Sequence, residues 1–162
     1  MREGQSLSIR RATPADSQGI LDCLGAAFEA YRNSYTPDAF ADTVLTLDTL
    51  QRRLATMCVF VAVSDSGEIV GTIACQVVHP GEGHIRGMAV RPAWQGSGVA
   101  AELLESVESE LRDKECLRIS LDTTEPLRQA IRFYEKCGFS PSGKIADFFG
   151  MPLLEYVKTL PG

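Results

Sequence analysis

The 162-residue chain has no long apolar run and no excess of positive charge. No apolar stretch approaches the ~18 residues that a membrane-spanning helix needs, so we expect no membrane partner. Residues 1–6 contain no apolar signal region, which favours a cytoplasmic protein. Lys and Arg number 16 against 21 Asp and Glu, a formal net charge of −5. This balance argues against nucleic acid as a partner.

Residues that bind metals or form disulfides are also scarce. The cysteines number five, an odd count, with no Cys-x-x-Cys pair, and His79 and His84 are the two histidines. This pattern predicts reduced, mostly buried thiols, with neither a disulfide framework nor a metal site. What is present is an ordinary globular composition, 44% hydrophobic and 23% charged, of a length suited to one domain.

Apolar periodicity predicts one domain over residues 7–161 in which strands and helices alternate. The predicted strands share period-2 alternation or turn residues at their ends, and they cover 7–12, 57–64, 69–78, 84–90, 117–123, the residues from 139 onward and 153–160. Two amphipathic helices, the second over 40–54, follow the first strand, and two more cover 95–112 and 127–137. The order β-α-α-β-β-β-α-β-α-β-β predicts an α/β (α+β) fold, a mixed sheet with helices on both faces.

Small residues open the helix that begins near residue 95, in the segment Gln95-Gly96-Ser97-Gly98-Val99-Ala100. The first N–H groups of a helix have no intrahelical partner, and the helix dipole favours negative charge there. Small side chains let a phosphate approach such amides closely. The segment is neither a P-loop nor a Gly-x-Gly-x-x-Gly motif. Taken alone, it predicts either a phosphate cradle or a tight turn that packs a helix closely on the sheet.

Residues 88–104 resemble the acetyl-CoA-binding motif of the GNAT superfamily of N-acetyltransferases. That motif is Gln or Arg, two residues, Gly, one residue, then Gly or Ala, as in Gln95 to Ala100. Residues 130–139 are similar to the second hallmark of that family, residues 9–16 are similar to its opening, and the resemblance extends over 7–160. It implies a mostly antiparallel sheet flanked by about four helices. It also implies an acyltransferase that moves acetyl from acetyl-CoA to the primary amine of a small molecule or peptide, by direct attack in a ternary complex.

The resemblance also implies a role for each matching residue. The main chain around Ala89 would pair with the pantetheine arm of acetyl-CoA, the amides from Gln95 onward would hold its pyrophosphate, and Tyr134 would lie beside its sulfur. The expected coenzyme-binding residues are Met88, Ala89, Val90, Gln95, Gly96, Ser97, Gly98, Val99, Ala100 and Phe133. Many family members have Asn where this chain has Leu127. That polar contact is either missing here or supplied by another residue, such as Thr123 or Thr124.

An amine that attacks a thioester must first lose a proton, which costs roughly 4–5 kcal/mol at pH 7 for an alkyl ammonium. Glu82 and His84, at the start of the strand over 84–90, are the candidates for a general base. An imidazole is intrinsically better matched to this task than a carboxylate. The alternative for both residues is a solvated side chain at the edge of a loop.

Tyr134 is expected to donate a hydrogen bond to the departing thiolate, and its alternative is an ordinary packed tyrosine on an amphipathic helix. Two classes of function stay open. Tyr134 favours an acetyltransferase, whereas Leu127 and the undecided base leave a non-catalytic acyl-CoA-binding or sensing module as the alternative. Arg53 and Arg86 are expected to be solvated, and Arg91 to meet a phosphate of the coenzyme. The acceptor amine is not identified, and a homodimer is compatible with the sequence.

Overall fold

The structure, a computed structural model, describes residues 6–161, which form a seven-stranded sheet and five α-helices. Residues 1–5, on which the cytoplasmic expectation partly rests, lie outside the described residues. In chain order the elements are β1 (Leu7–Arg11), α1 (Ser17–Phe28), α2 (Pro37–Val44), α3 (Leu47–Thr56), β2 (Cys58–Ser64), β3 (Ile69–His79), β4 (Glu82–Val90), α4 (Val99–Asp113), β5 (Arg118–Thr123), α5 (Arg128–Lys136), β6 (Ser140–Phe148) and β7 (Met151–Thr159).

The strands lie in the order β1-β2-β3-β4-β5-β7-β6 across the sheet. Every neighbouring pair is antiparallel except β4 and β5, which are parallel and are connected by the crossover helix α4. The prediction of a mixed, mostly antiparallel sheet with helices on both faces is confirmed.

Alternation along the strands divides the apolar side chains between two faces of the sheet. Helices α4 and α5 cover one face, whose core includes the fully buried Ile73, Leu103 and Ile119. Helices α1, α2 and α3 cover the other face, with Leu24 and Leu50 at its centre. Because helices cover both faces of the sheet, β2 and the first part of β3 consist almost entirely of apolar, buried residues.

The stretch predicted as one helix over residues 40–54 is two helices, α2 and α3. Leu45 adopts a left-handed φ of 66°, and the side chain of Thr46 accepts a hydrogen bond from the Thr49 amide, which caps α3. The apolar spacing continues across this break and so conceals it in the sequence. Gly138, by contrast, has the left-handed φ (98°) that its place after α5 predicts.

The parallel strands β4 and β5 separate part of the way along the sheet. Their pairing ends at Ile85 and Leu121, while β4 continues beside β3 as far as Val90. The pairing of β3 with β4 shifts in register here: the three residue steps of β4 from Arg86 to Ala89 span two steps of β3, from Thr72 to Ala74, so β4 contains a β-bulge. Gly87 lies in this bulge and has a φ of 63°. The bulge and the separation together open a cleft between the carboxyl ends of β4 and β5.

All five cysteines are free thiols, and four of them are buried, as the sequence predicts. Within residues 6–161, no helix is long and apolar enough to cross a membrane. The described part of the chain also holds no group of three or more His, Cys, Asp or Glu side chains arranged to bind a metal ion.

Candidate active site

The segment from Gln95 to Ala100 forms an uncapped N-terminus for α4. Gly96 and Gly98 have φ values of 80° and 92°, which residues with side chains rarely adopt. Gly98 directly precedes the helix and offers no side chain to accept from the amides of its first turn. A Cβ atom at either glycine would enter open space, so there is room above the loop for a ligand. Exposed amides at the positive end of a helix dipole suit a phosphate group.

The other predicted residues of this segment act through their main chain or support the loop. The Ser97 hydroxyl donates to the Trp94 carbonyl, and Gln95 Nε2 donates to the Val90 carbonyl at 3.0 Å. The Val99 side chain is buried in the core, so only its main chain faces the loop. Arg91 donates from Nε to the Ile69 carbonyl at 2.8 Å, because the chain turns back towards β3 there, and its expected contact with a coenzyme phosphate stays a prediction.

An apolar groove of about 420 Å³ extends from this loop along β4 to α5. Its lining includes Met88, Ala89 and Val90 on one side and Phe133 on the other. The Arg91 amide donates to Val70 on β3 at 2.8 Å. Main-chain groups alternate in direction along a strand, so those of Met88 and Val90 are turned away from β3, towards the cleft that β5 has left. The groove therefore contains a strand edge that, within the described residues, pairs with no other strand after Ile85, although the Val90 carbonyl accepts from the Gln95 side chain.

A smaller, polar cavity of about 130 Å³ adjoins the groove. The two spaces share part of their lining, namely Phe28, Met88, Leu127 and Ala130. The residues that make this cavity polar include Arg53, His84, Arg86, Asp122, Thr123 and Tyr134. A ligand that fills the groove can therefore reach a second molecule in the polar cavity through the cleft between β4 and β5.

His84 is held in the polar cavity by two side chains of β5. Its Nδ1 lies 2.8 Å from the Ser120 hydroxyl, and its Nε2 lies 3.4 Å from Oδ2 of Asp122. These contacts follow from the parallel register, which places His84 opposite Ser120. Ser120 is buried, whereas Asp122 lines the cavity with His84. An imidazole next to a carboxylate can bind an ammonium group and accept its proton.

Glu82 is not brought to the same place. Its carboxylate forms an ion pair with Arg118 at the start of β5, and it lines neither the groove nor the polar cavity. The catalytic role assigned to Glu82 stays a prediction without support from this position.

Tyr134 reaches the polar cavity from α5, on the opposite face of the sheet. Its ring packs between those of Phe133 and Phe139, with centroid distances of 5.6 and 5.7 Å. Burial, reinforced by the nearby Cys137 thiol, raises the pKa of Tyr134. The phenol therefore keeps its proton at neutral pH and can serve as a hydrogen-bond donor.

The two threonines considered as substitutes for the missing Asn differ in their contacts. The Thr124 hydroxyl lies 2.6 Å from the Tyr35 hydroxyl and is thereby engaged. The Thr123 hydroxyl is buried and has no hydrogen-bond partner among residues 6–161. A buried hydroxyl without a partner is costly, so Thr123 is the better candidate for a contact with a bound ligand.

Sequence reasoning missed Asp122 and misplaced Arg53. Arg53 was expected to be solvated but is half-buried in the polar cavity, because α3 lays its guanidinium against Gly87, which has no side chain to fill that space. A signal for this exists: Arg53 follows the buried Leu50 by three residues and so shares the inner face of α3. Asp122 alternates with the buried Leu121, but only the register of β5 shows that it meets His84.

Comparison with known proteins agrees with this geometry. The model of the Acetyltransferase (GNAT) family matches residues 21–139. The chain is 33% identical over 154 residues to an aminoglycoside N(6')-acetyltransferase type 1 from Stenotrophomonas maltophilia, covering 90% of this chain and 94% of the relative. It is 26% identical over 140 residues to a glucosamine 6-phosphate N-acetyltransferase from Trypanosoma brucei brucei, covering 82% and 88%.

Solved structures share the fold. The PaiA N-acetyltransferase from Thermoplasma acidophilum, in complex with coenzyme A, superimposes with a TM-score of 0.79 at 16% identity, over 96% of this chain and 99% of that one. A GNAT-family acetyltransferase from Staphylococcus aureus Mu50 superimposes with a TM-score of 0.78 at 18% identity, over 96% and 100%. The architecture is therefore one that acetyltransferases adopt.

Proposed function

Because this chain belongs to the GNAT family of acetyltransferases, we propose that it transfers acetyl from acetyl-CoA directly to a primary amine held in the polar cavity. One observation carries the proposal: the apolar groove and the polar cavity meet at Met88, where β4 and β5 separate. A thioester in the groove and an amine in the cavity would face each other there. No covalent intermediate with the enzyme is needed in such a ternary complex.

The residues of the groove fit acetyl-CoA, which supplies the activated acetyl group. The amides from Gly96 to Ala100 would hold the pyrophosphate at the uncapped start of α4. The main-chain groups of Met88 and Val90 would pair with the pantetheine amides as an added strand does. Phe133 lines the same groove and would pack against the arm. Thr123 would supply a hydroxyl contact in place of the missing Asn.

His84 is the residue that we propose as the general base. With an ammonium group between Asp122 and the imidazole, the favourable tautomer carries its proton on Nδ1, which donates to Ser120, and leaves the Nε2 lone pair to accept from the ammonium. The Asp122 carboxylate would attract the ammonium group, and Nε2 would take the proton that the amine must lose. The free amine then forms the new bond from nitrogen to the acetyl carbon as the bond from carbon to sulfur breaks, and the second proton that the nitrogen must lose passes to water.

Tyr134 would stabilise the sulfur as it leaves. Moving a proton from an ordinary phenol to an ordinary thiolate is uphill by about 2 kcal/mol, and burial, which raises the pKa of Tyr134, makes that transfer harder still. A hydrogen bond from the protonated phenol avoids this cost and stabilises the developing negative charge. The thiolate then takes its proton from water after it has left.

The acceptor that we propose is a small primary amine. The names of two relatives give an aminoglycoside and glucosamine 6-phosphate as acceptors of those enzymes. Amino sugars are therefore the first class to test. The polar cavity of about 130 Å³ has room for a small molecule or for one end of a larger one.

The test measures thiol release from acetyl-CoA in the presence of a panel of amines that includes amino sugars, amino acids, polyamines and a peptide N-terminus. We expect thiol to appear only when a suitable amine is present, with acetyl found on that amine by mass spectrometry. Binding of acetyl-CoA with no amine-dependent thiol release would contradict the proposal and favour the non-catalytic acyl-CoA-binding module instead.

A further inference from the structure

Two arginines line the polar cavity, and although Asp42 lines it too, neither arginine forms an ion pair with that carboxylate within 4.0 Å. Arg53 extends from α3 and Arg86 from β4, and both line the cavity. Within the described residues, neither guanidinium forms an ion pair closer than 4.0 Å or a side-chain hydrogen bond. A guanidinium has five N–H donors, so two unpaired ones in one cavity leave many donors that a ligand could satisfy.

Arg53 is the more confined of the two. Its guanidinium lies against Gly87, where a Cβ atom would collide with Nη1 and lie 3.2 Å from Cζ. Burial lowers the pKa of Arg53, and the positive charge of Arg86 adds to that effect, while Asp42, which lines the same cavity, partly opposes it. Arg86 is exposed, as expected, whereas Arg53 is half-buried. Holding the half-buried charge of Arg53 near a second positive charge costs free energy, and a bound anion would lower that cost.

The opposite charge lies further along the same strand. His84 and Arg86 are two residues apart on β4 and point to the same face of the sheet. Their Cα atoms are therefore separated by roughly 7 Å. Asp122, which contacts His84, makes that end of the cavity suited to an ammonium group, whereas Arg53 and Arg86 make the other end suited to an anion.

We propose that Arg53 and Arg86 bind a carboxylate or phosphate group of the acceptor, which is therefore a small zwitterionic amine. This inference rests on the proposed function, because it specifies the acceptor of the same reaction. Because His84 and Arg86 lie two residues apart on β4, compact acceptors with a few bonds between the amine and the anion are the first to test. A guanidinium pair recognises both kinds of anion by paired hydrogen bonds, so the experiment must distinguish carboxylate from phosphate.

The experiment compares acceptors that differ only in the anionic group. β-Alanine is matched with propylamine for the carboxylate, and phosphoethanolamine with ethanolamine for the phosphate. We expect kcat/KM for at least one anionic acceptor to exceed that for its neutral partner by tenfold or more. Arg53→Gln should lower this ratio about tenfold or more, since it removes hydrogen bonds to a charged group.

Arg52→Gln is the matched control, because Arg52 is the exposed neighbour of Arg53 on α3 and lies outside the cavity. It should leave the ratio unchanged. Equal kcat/KM for both members of each pair, or the same ratio in Arg53→Gln as in the wild type, would overturn the proposal. Thermal melting and acetyl-CoA affinity of each variant verify that it has folded.

A second measurement does not depend on turnover. Inorganic phosphate is titrated by calorimetry into the protein saturated with coenzyme A, so that the groove is already filled. We expect binding that weakens at least tenfold in Arg53→Gln and not in Arg52→Gln. If this result holds but no amine releases thiol, the anion site is supported and the proposed acetyl transfer is contradicted. Phosphate binding equal in both variants would contradict the anion site itself.

Discussion

The groove and the polar cavity are built in different ways, although they share a wall. The groove takes one wall from a continuous segment, residues 88–100, which offers main-chain amides and small side chains, and the other wall from apolar residues of α1 and α5. The polar cavity collects charged side chains from α2, α3, β4 and β5 together with Tyr134 from α5. The first arrangement suits a ligand that never changes, and the second allows the acceptor to change by substitution of single side chains on a constant scaffold.

The largest expected effect is on the groove alone. Gly98→Val should weaken acetyl-CoA binding by at least ~100-fold, since a β-branched residue opposes φ of 92° and fills the space where the pyrophosphate would bind. Calorimetry measures the affinity. Gly67→Val is the matched control, because Gly67 has a similar φ of 86° and open space but lies in the turn between β2 and β3. If Gly67→Val lost as much acetyl-CoA affinity as Gly98→Val, the effect would come from backbone strain and not from the phosphate-binding loop.

A substitution in the cavity should affect chemistry and spare coenzyme binding. His84→Gln should lower kcat by roughly 100-fold, since glutamine can still bond to Ser120 but cannot accept the proton of the amine. Steady-state kinetics and acetyl-CoA affinity are measured together. The control is His79→Gln, which changes an exposed histidine at the end of β3. A parallel fall in coenzyme affinity would mean that His84 supports the shape of the cleft and does not act as the base.

Tyr134 lies at the boundary between the two spaces, and its replacement should have an intermediate effect. Tyr134→Phe is expected to lower kcat about tenfold or more with little change in acetyl-CoA affinity, because only one hydrogen bond to the leaving sulfur is lost. Tyr156→Phe is the control, since Tyr156 is equally buried but lines neither space. An unchanged kcat would remove Tyr134 from the chemistry.

The smallest effect is expected just outside the cavity. Glu82→Gln should change kcat less than about threefold and reduce the free energy of unfolding by no more than about 1 kcal/mol, because it breaks a partly exposed ion pair with Arg118. Kinetics and urea denaturation measure the two quantities. A large loss of kcat in Glu82→Gln, with little loss in His84→Gln, would assign the base to Glu82. The chemistry would then not be confined to residues that line the polar cavity.

The parts of the site that the sequence predicted are those that depend on neighbouring residues. Glycines at 96 and 98 before an amphipathic helix predict a phosphate cradle or a tight turn; the structure has both glycines at positive φ and leaves the helix start uncapped, and phosphate binding there stays a prediction. The break between α2 and α3 escaped prediction, because Leu45 adopts a left-handed conformation that its residue type does not favour. The sequence also did not predict that Arg53 lines the polar cavity, since this depends on which strand α3 packs against.

The amino-acid sequence by itself determined the order of the elements, the apolar faces of the helices and the small residues that leave the start of α4 uncapped, because each follows from periodicity and backbone preference within about ten residues. The tertiary structure alone decided that β4 and β5 separate after Ile85, and that His84 meets Asp122 while Glu82 meets Arg118. Strand register decides such pairings, and a shift of one residue would turn every side chain to the other face of the sheet.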